Sequence, residues 1–405
     1  MVARLRNNLD FFPSPVEEQP GLVIRDPFHY SGATLIVPPA LVPSLEFFDG
    51  QRSELDLRAF LVRITGDVQA GDLAQHLIDT LSNAGFLLDE KFEHKKAEAE
   101  QKFRESDVRE PSHAGSGYPA DAGALSETLR GYLNADGAPA AENKRRVLAI
   151  AAPHVSPFGG IEAYRAAYSA LSPEDSDRTF VILGTSHYGE PDRLGLTRKP
   201  FRTPFGDTTP DLKIVDELAR AAGAGAAMED YCHAVEHSIE FQVVFLQHLF
   251  GAGIRVVPVL CGSYATSLYR GGMPEDNDNV RRVFGALGEL AAREGDRLLW
   301  VLGIDMAHMG RRYGDDLDAT ADHNEMELVA QRDRGRIERM EHGDARGFWN
   351  LVQENHDDLK WCGSAPIYTF MNAVPGARGE LLRYQQWNID EQSVVSFAGM
   401  RFHAA

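Results

Sequence analysis

Three unbroken apolar runs constrain the fold of this chain more than any other feature of its sequence. Residues 147–152, 180–183 and 298–302 are apolar without the alternation of a half-exposed strand, and such runs are typical of strands buried on both faces of a sheet. Residues 254–260 predict a fourth strand. Apolar spacing predicts helices between the strands, over 161–171, 212–222, 236–250 and 280–293. This alternation predicts an α/β fold with a mixed or mostly parallel sheet flanked by helices.

A histidine follows each of the first three apolar runs. These histidines are His154, His187 and His308. Ligands of open α/β sheets bind in the crevice beyond the carboxyl ends of the strands, so all three imidazoles are expected at that edge. A lone histidine at a strand end is more often structural than functional. Three together favour a metal or acid–base site, since imidazole is the commonest metal ligand and titrates near neutrality.

Charge, apolar run length and cysteine spacing exclude several classes of protein. A formal net charge of −19 over 405 residues argues against a nucleic-acid partner, because phosphate binding needs clustered Lys and Arg. No apolar run approaches the roughly 18 residues of a membrane span, and residues 1–20 contain no apolar signal-peptide core. Cys232, Cys261 and Cys362 form no CxxC pair and no disulfide framework. The sequence therefore predicts a cytoplasmic protein with no membrane partner.

The N-terminal part of the chain predicts a separate domain. Apolar residues recur at helical spacing over 54–65 and 72–84, and Gly85 follows as a helix C-cap. Residues 86–88 are predicted to start a strand, and helices followed by a short β element are typical of a winged helix. The predicted boundaries are a winged-helix-like α+β domain at 13–95, a charged linker at 96–106 and the α/β domain at 107–405.

The N-terminal part also contains short segments that resemble a known module. Phe48-Asp49-Gly50 before the first predicted helix and Ala84-Gly85-Phe86-Leu87 after the second resemble the peptide-recognition modules of the pyrroloquinoline quinone chaperone type. This resemblance implies a domain that binds a precursor peptide. A generic winged helix that packs on its neighbour is the alternative. DNA binding is disfavoured, since residues 72–84 contain no Lys or Arg.

Seven short motifs occur in order from residue 108 onward. They are Val108 to Ser116, Ala152 to His154, Ile182 to His187, Glu236 to Glu240, Val257 to Leu260, Asp305 to His308 and Cys362 to Ile367. Together they resemble the Memo family, also called AmmeMemoRadiSam system protein B. The resemblance covers about residues 107–405, and its strength lies in the order of the seven motifs rather than in any one of them.

The resemblance to the Memo family implies a fold similar to that of the class III extradiol dioxygenases, which use non-haem iron. It also implies His154, His187 and Cys362 as metal ligands, iron or copper as the metal, and redox chemistry. The residue types agree, because two imidazoles and one thiolate suit soft or borderline metals such as Cu(I), Fe(II) or Zn(II). A buried structural thiol is the alternative interpretation of Cys362.

Other polar residues near these predicted ligands are candidates for catalysis. His237 and His308 are interpreted as an acid–base pair or as hydrogen-bond partners of the ligands, with Asp305 orienting His308. Glu236 is a further candidate catalytic residue. Glu240, by contrast, is interpreted as a capping or surface charge.

Two more side chains have two interpretations each. His113 either lines the cleft or holds an N-terminal turn. Trp361, beside Cys362 in sequence, either packs in the core or offers a platform to a substrate. The sequence does not separate these alternatives.

Three functions are compatible with these patterns. The leading hypothesis is a Memo-like metal-binding protein with redox or dioxygenase-like activity at His154, His187 and Cys362. The second is an adaptor without catalysis of its own, in which residues 13–95 bind a peptide or protein and the chain works with a radical SAM enzyme, as the family's system name implies. The third is a ring-opening dioxygenase. It ranks last because a thiolate replaces the carboxylate ligand of those enzymes.

Overall fold

The protein is described by a computed structural model that covers residues 1–14, 16, 18–67, 70–133 and 146–405. Its contacts divide the chain into two units, Met1–Ser106 and Asp107–Ala405. Among the residues described, no helix has the length and apolar character needed to cross a membrane.

The N-terminal unit combines a three-stranded antiparallel sheet with three α-helices. The strands pair in chain order, the second lying between the other two. The elements are β1 (Asp10–Pro13), β2 (Leu22–Arg25), β3 (Thr34–Val37), α1 (Glu54–Thr65), α2 (Ala70–Asn83) and α3 (Glu90–Glu105).

Helix α1 shows how the local sequence determines where an element begins and ends. The Ser53 hydroxyl accepts a hydrogen bond from the main-chain N of Asp56, and the Asp56 carboxylate accepts one from the main-chain N of Ser53. Gly66 ends the helix with a φ of 72°, which glycine adopts without steric cost. Leu57 and Leu61 lie one turn apart and are fully buried. The helix predicted over 54–65 is confirmed.

One predicted element of the N-terminal unit is absent, and the charged run, interpreted from the sequence as a helical or solvated linker, is helical. Residues 86–88 do not form a strand, because Leu87 makes only an isolated antiparallel bridge with Leu5. The predicted charged linker at 96–106 lies within α3 up to Glu105. Only two phenylalanines of this 16-residue helix are buried, so charged positions dominate its composition and conceal its packed face.

The C-terminal unit contains the remaining strands and helices. Its strands are β4 (Ala149–Ala152), β5 (Thr179–Thr185), β6 (Leu194–Leu196), β7 (Arg202–Thr203), β8 (Gly206–Asp207), β9 (Thr209–Pro210), β10 (Ala226–Met228), β11 (Arg255–Cys261), β12 (Leu298–Gly303), β13 (His308–Gly310), β14 (Ala377–Asp390) and β15 (Ser393–Ala404). Its α-helices are α4 (Ala122–Leu133), α5 (Ile161–Tyr168), α6 (Leu212–Ala222), α7 (Cys232–Val235), α8 (Glu240–Phe250), α9 (Ala265–Arg270), α10 (Asp278–Glu294), α11 (Glu325–Glu341), α12 (Ala345–Gln353) and α13 (Ser364–Ala373).

The main sheet of the C-terminal unit has ten strands of mixed direction. Eight of them follow the order β10-β6-β11-β5-β12-β4-β15-β13, with β14 beside β15 and β9 beside β11. The four central strands β11, β5, β12 and β4 are parallel to one another. Strand β15 runs antiparallel to β4, β13 and β14. The prediction of a mixed α/β sheet flanked by helices is confirmed.

Alternate residues of the central strands pack into two different cores. In β5, Val181 and Leu183 contact the core that also contains residues of α6, α10, α12 and α13. Phe180 and Ile182, between them in sequence, contact the core that contains residues of α4, α5 and α8. Because helices cover both faces, the strand shows no polar alternation.

The segment before α8 packs across the ends of two central strands. The helix predicted over 236–250 begins only at Glu240, and the residues before it form an extended turn. A Cβ on Gly303 would lie 2.1 Å from the main-chain O of Ser238. A Cβ on Gly184 would lie 2.5 Å from the Oγ of the same serine. The two glycines therefore permit an approach that brings His237 to the edge of the sheet.

We expect Gly303→Ala to destabilise the C-terminal unit by about 1 to 3 kcal/mol, because the added methyl group overlaps the Ser238 carbonyl and backbone must shift. The measurement is calorimetric thermal unfolding. The control is Gly285→Ala in α10, where a Cβ meets no atom within 4 Å and helix propensity predicts a gain of about 0.5 to 1 kcal/mol. Equal unfolding temperatures for the two variants would contradict this account.

Candidate metal centre

Three histidines from separate parts of the sequence meet at the carboxyl edge of the parallel strands. His154 follows β4, His187 follows β5 and His237 precedes α8. One ring nitrogen from each lies within 4.8 Å of those of the other two. The sequence predicts His154 and His187 as ligands, and His237 as an acid–base group or a hydrogen-bond partner of the ligands, whereas the structure places all three imidazoles in one group.

His154 is held in a single orientation by its surroundings. Its side chain is buried, and its Nδ1 donates a hydrogen bond to the main-chain O of Gly303 at 2.9 Å. Its main-chain N donates to Asp305 Oδ1 at 2.9 Å. A proton on Nδ1 leaves Nε2 as the nitrogen with a free lone pair, and the Sγ of Cys362 lies 3.2 Å from that Nε2.

His187 is oriented by a buried carboxylate. Its Nδ1 lies 3.0 Å from Glu236 Oε2, and its main-chain N donates to Oε1 at 3.2 Å. Burial alone would lower the pKa of His187, but the Glu236 carboxylate and the Cys362 thiolate raise it well above its ordinary value. Glu236, predicted as a catalytic residue, thus acts in this structure as the partner that positions His187.

His237 completes the group of three. Its ring stacks on that of His187, with centroids 5.2 Å apart and planes 9° apart, and meets the ring of His154 edge-on at 5.1 Å. Burial and the neighbouring cationic side chains hold the pKa of His237 well below its ordinary value. The imidazole is therefore neutral near pH 7, the form that binds a metal.

Cys362 differs from the other two cysteines in its electrostatic surroundings. Burial would raise the pKa of its thiol, but His154 and His187 lower it to about 7. Burial raises the pKa of Cys261 to about 12 and that of Cys232 further still. Only the thiol of Cys362 is thus substantially ionised at neutral pH, which is the form that reacts and binds metals.

Asp305 and His308 lie beside the cluster but do not form the predicted pair. The Nδ1 of His308 lies 2.9 Å from the main-chain O of Met306 and 3.1 Å from that of Lys360. Two carbonyls therefore orient His308, and the expected orientation by Asp305 is corrected. Asp305 instead lies 3.5 Å from Nε2 of His154, and burial raises the pKa of its carboxyl to about 6.

Glu240 is fully buried beneath the site, so its interpretation as a capping or surface charge is wrong. It pairs with the fully buried Arg109 and accepts hydrogen bonds from the Tyr118 hydroxyl and the main-chain N of Ser112. Burial would raise the pKa of Glu240, but Arg109 holds it far below its ordinary value. The sequence signal for this pair is the acidic residue at the start of an otherwise apolar helix, where a lone charge needs a partner.

His113 lies between this buried network and the histidine cluster. Its main-chain N donates to Glu240 Oε1 at 3.0 Å. Its ring centroid is 5.4 Å from that of His237, and about a quarter of its side chain (27%) is exposed. The two interpretations of His113 are therefore compatible, because this residue both holds the N-terminal turn and borders the cluster.

These features define the class of the C-terminal unit, a mixed α/β domain with a histidine cluster at the carboxyl edge of its parallel strands. The chain belongs to the Memo family, because the family described as Memo-like protein matches residues 109–401. This match confirms the family resemblance inferred from the seven motifs.

Relatives of this chain differ in how much of it they match. A MEMO1 family protein of Aquifex aeolicus is 27% identical over 385 residues, which cover 94% of this chain and 96% of that protein. A MEMO1 family protein of Thermococcus kodakarensis is 29% identical over 309 residues, 73% of this chain and 99% of that protein. One of Methanosarcina acetivorans is 25% identical over 300 residues, with 73% and 98% covered. Only the first of these three is long enough to match both units.

We expect Glu240→Gln to cost about 3 to 5 kcal/mol of stability at pH 7, because it leaves the buried Arg109 charge unpaired. The folded pKa of Glu240 is depressed, so its stabilising contribution is complete above the unfolded pKa of about 4.3 and is lost as the pH falls through the folded value. The difference from wild type should therefore be largest above about pH 5 and narrow below it. Urea unfolding between about pH 3 and 8 measures it.

The matched control for this prediction is Glu110→Gln. Glu110 also pairs with an arginine, Arg202, at 3.0 Å, but both side chains are largely exposed. We expect almost no change in stability, because exposed ion pairs contribute little. A loss as large as that of Glu240→Gln, or a Glu240→Gln effect independent of pH, would contradict the assignment.

Proposed function

We propose that the chain is a metal-binding protein that holds iron or copper at His154, His187 and Cys362, with His237 as a further donor. The observation that supports this most directly is the grouping of three imidazole nitrogens within 4.8 Å, with the Cys362 thiol 3.2 Å from Nε2 of His154. This arrangement would suit a metal ion that is bound by imidazole nitrogen and thiolate sulfur together.

The hydrogen bonds of the cluster fit such an ion. Metal-binding histidines usually give their second ring N–H to a carbonyl or carboxylate. In this protein, Nδ1 of His154 faces the Gly303 carbonyl and Nδ1 of His187 faces the Glu236 carboxylate. Both imidazoles therefore have Nε2 available for a metal.

The donor set favours a redox-active ion. Imidazole and thiolate together suit Cu(I), Fe(II) and Zn(II), and a bound iron or copper would supply electron transfer. Glu236 orients His187, and His308 and Asp305 supply proton-accepting groups beside the cluster. We place this function in the cytoplasm, where a reducing medium keeps Cys362 as a free thiol. A fold similar to that of the class III extradiol dioxygenases, and activity of their kind, stay predictions.

We expect the wild-type protein, purified without a metal-affinity tag, to take up about one Fe(II) or Cu(I) per chain in anaerobic titration. Stoichiometric binding should be lost in His187→Ala and in Cys362→Ala, because each variant removes a donor. Glu236→Gln should keep the site but weaken affinity by about 10- to 100-fold, since it disturbs only the partner of His187.

The control for the metal titration is His94→Ala. His94 is exposed on α3 of the N-terminal unit, so its loss should leave the stoichiometry unchanged. Undiminished binding by His187→Ala and Cys362→Ala, or no binding by wild type, would refute the proposed site.

We propose as a second candidate that the N-terminal unit is an adaptor that binds a peptide or protein, including a radical SAM enzyme. The specific observation in its favour comes from two relatives, which match 73% of this chain over 99% and 98% of their own length. These relatives are therefore too short to contain this unit as well. Helix α1 also exposes two large apolar side chains, Leu55 at 72% and Ile64 at 41%. The winged-helix and peptide-recognition resemblances of this unit stay predictions.

For the adaptor we expect Leu55→Glu, made in the full chain, to weaken binding to a purified radical SAM enzyme of the same cell about tenfold or more, the effect of removing one well-buried contact residue. Surface plasmon resonance provides the measurement. The control Leu212→Glu changes a comparably exposed leucine (49%) in the C-terminal unit and should bind like wild type. Equal binding by the two variants would count against α1 as the contact.

A further inference from the structure

A cavity of about 220 Å³ lies beside the histidine cluster in the C-terminal unit. His187 and Cys362 belong both to its lining and to the candidate metal site. The other two histidines of the cluster do not line it. The cavity therefore lies on one side of the site, where a bound molecule would contact the His187 and Cys362 side chains directly.

Two tryptophans supply much of the apolar lining of this cavity. Trp349 and Trp361 are almost completely buried. Their indole N–H groups are already engaged, because Trp349 donates to Ser267 Oγ at 2.8 Å and Trp361 donates to Asp333 Oδ1 at 2.6 Å. Both indoles therefore present only carbon surface to the cavity, and aromatic rings pack well against such surface.

Two hydroxyl groups in the cavity wall, those of Ser186 and Ser364, have no hydrogen-bond partner among the described residues. Ser364, the first residue of α13, lines the cavity, is 6% exposed, and its Oγ forms no hydrogen bond with any described residue. A buried hydroxyl without a partner destabilises the folded protein, because it has lost its hydrogen bonds to water. A ligand with its own hydrogen-bonding group would remove that destabilising effect.

The charges around the cavity disfavour an anionic ligand. The Asp357 carboxylate lines it and is paired with Arg336 at 2.7 Å. No lysine or arginine occurs among the described residues that line it. An added carboxylate or phosphate would lie beside the Asp357 carboxylate with no lysine or arginine to pair with, and the His187 imidazole is already paired with Glu236.

We propose that this cavity binds a small uncharged compound with a single aromatic ring and one hydroxyl group, with the ring against Trp349 and Trp361 and the hydroxyl bonded to Ser364. The volume agrees, because an apolar cavity of about 150 Å³ holds benzene, and 220 Å³ leaves room for a substituent. The proposal that this compound is a substrate rests on the proposed metal function, because the compound would lie against the proposed ligands His187 and Cys362.

The test uses the full-length protein after removal of metal by a chelator, with phenol, toluene and benzoate as probes in isothermal titration calorimetry. We expect one phenol per chain, bound about threefold or more tightly than toluene and about tenfold or more tightly than benzoate. Ser364→Ala should weaken phenol about three- to tenfold, the range of one hydrogen bond, and leave toluene unchanged. Ala365→Leu, which fills the cavity, should abolish binding of both.

Ser44→Ala is the matched control, since Ser44 is also buried but lies in the N-terminal unit and its loss should leave phenol binding unchanged. Absence of phenol binding by wild type, or phenol binding undiminished in Ala365→Leu, overturns the cavity assignment. The metal titration of the same preparations separates the two proposals. Metal uptake without phenol binding would refute only the cavity assignment. Phenol binding without metal uptake would support the ligand site but refute both the metal function and the role of the compound as a substrate.

Discussion

The buried ion pair between Arg109 and Glu240 determines how one side of the site is assembled. Arg109 also donates hydrogen bonds to the main-chain O of His233 and of Glu236, both at 2.7 Å. One guanidinium thus fixes the turn that leads to His237 and, through Glu240, the segment that carries His113. A buried ion pair often gives no more stability than hydrophobic residues of similar size would give. We therefore interpret this pair as a means of fixing the positions of the segments around the site.

The charges of the cluster are arranged so that its imidazoles have different roles. His187 lies against the buried carboxylate of Glu236, which raises its pKa and favours its charged form. Burial, together with the charges of His154 and His187, lowers the pKa of His237, so this imidazole stays neutral. Cys362 faces both His154 and His187 and ionises more readily than a buried thiol would alone, because they lower its pKa. The low dielectric of the site strengthens each of these effects.

The sequence predicts the parts of the site that strand ends supply, because an apolar run shows where a buried strand stops. His154 and His187 follow from this rule. The position of His237 does not, since it depends on a turn that packs closely over Gly184 and Gly303 and that interrupts an otherwise helical pattern. The burial of Glu240 is equally hidden, because its partner lies 131 residues away in the chain. Periodicity reports local structure, whereas these contacts are long-range.

A second buried carboxylate, Asp333, explains how the opposite side of the site keeps its shape. Its oxygens accept hydrogen bonds from Trp361 Nε1 at 2.6 Å, Tyr384 OH at 2.7 Å and Ser396 Oγ at 2.6 Å. Ser396 Oγ in turn accepts from the main-chain N of Ala307 at 2.8 Å. Asp333 thereby links the residue before Cys362 to the residue before His308. Burial raises the pKa of Asp333 above its ordinary value, and the hydrogen bonds from the three donors oppose that rise. The buried carboxylate therefore depends on all three hydrogen bonds, since an unpaired polar group in a low-dielectric interior is costly.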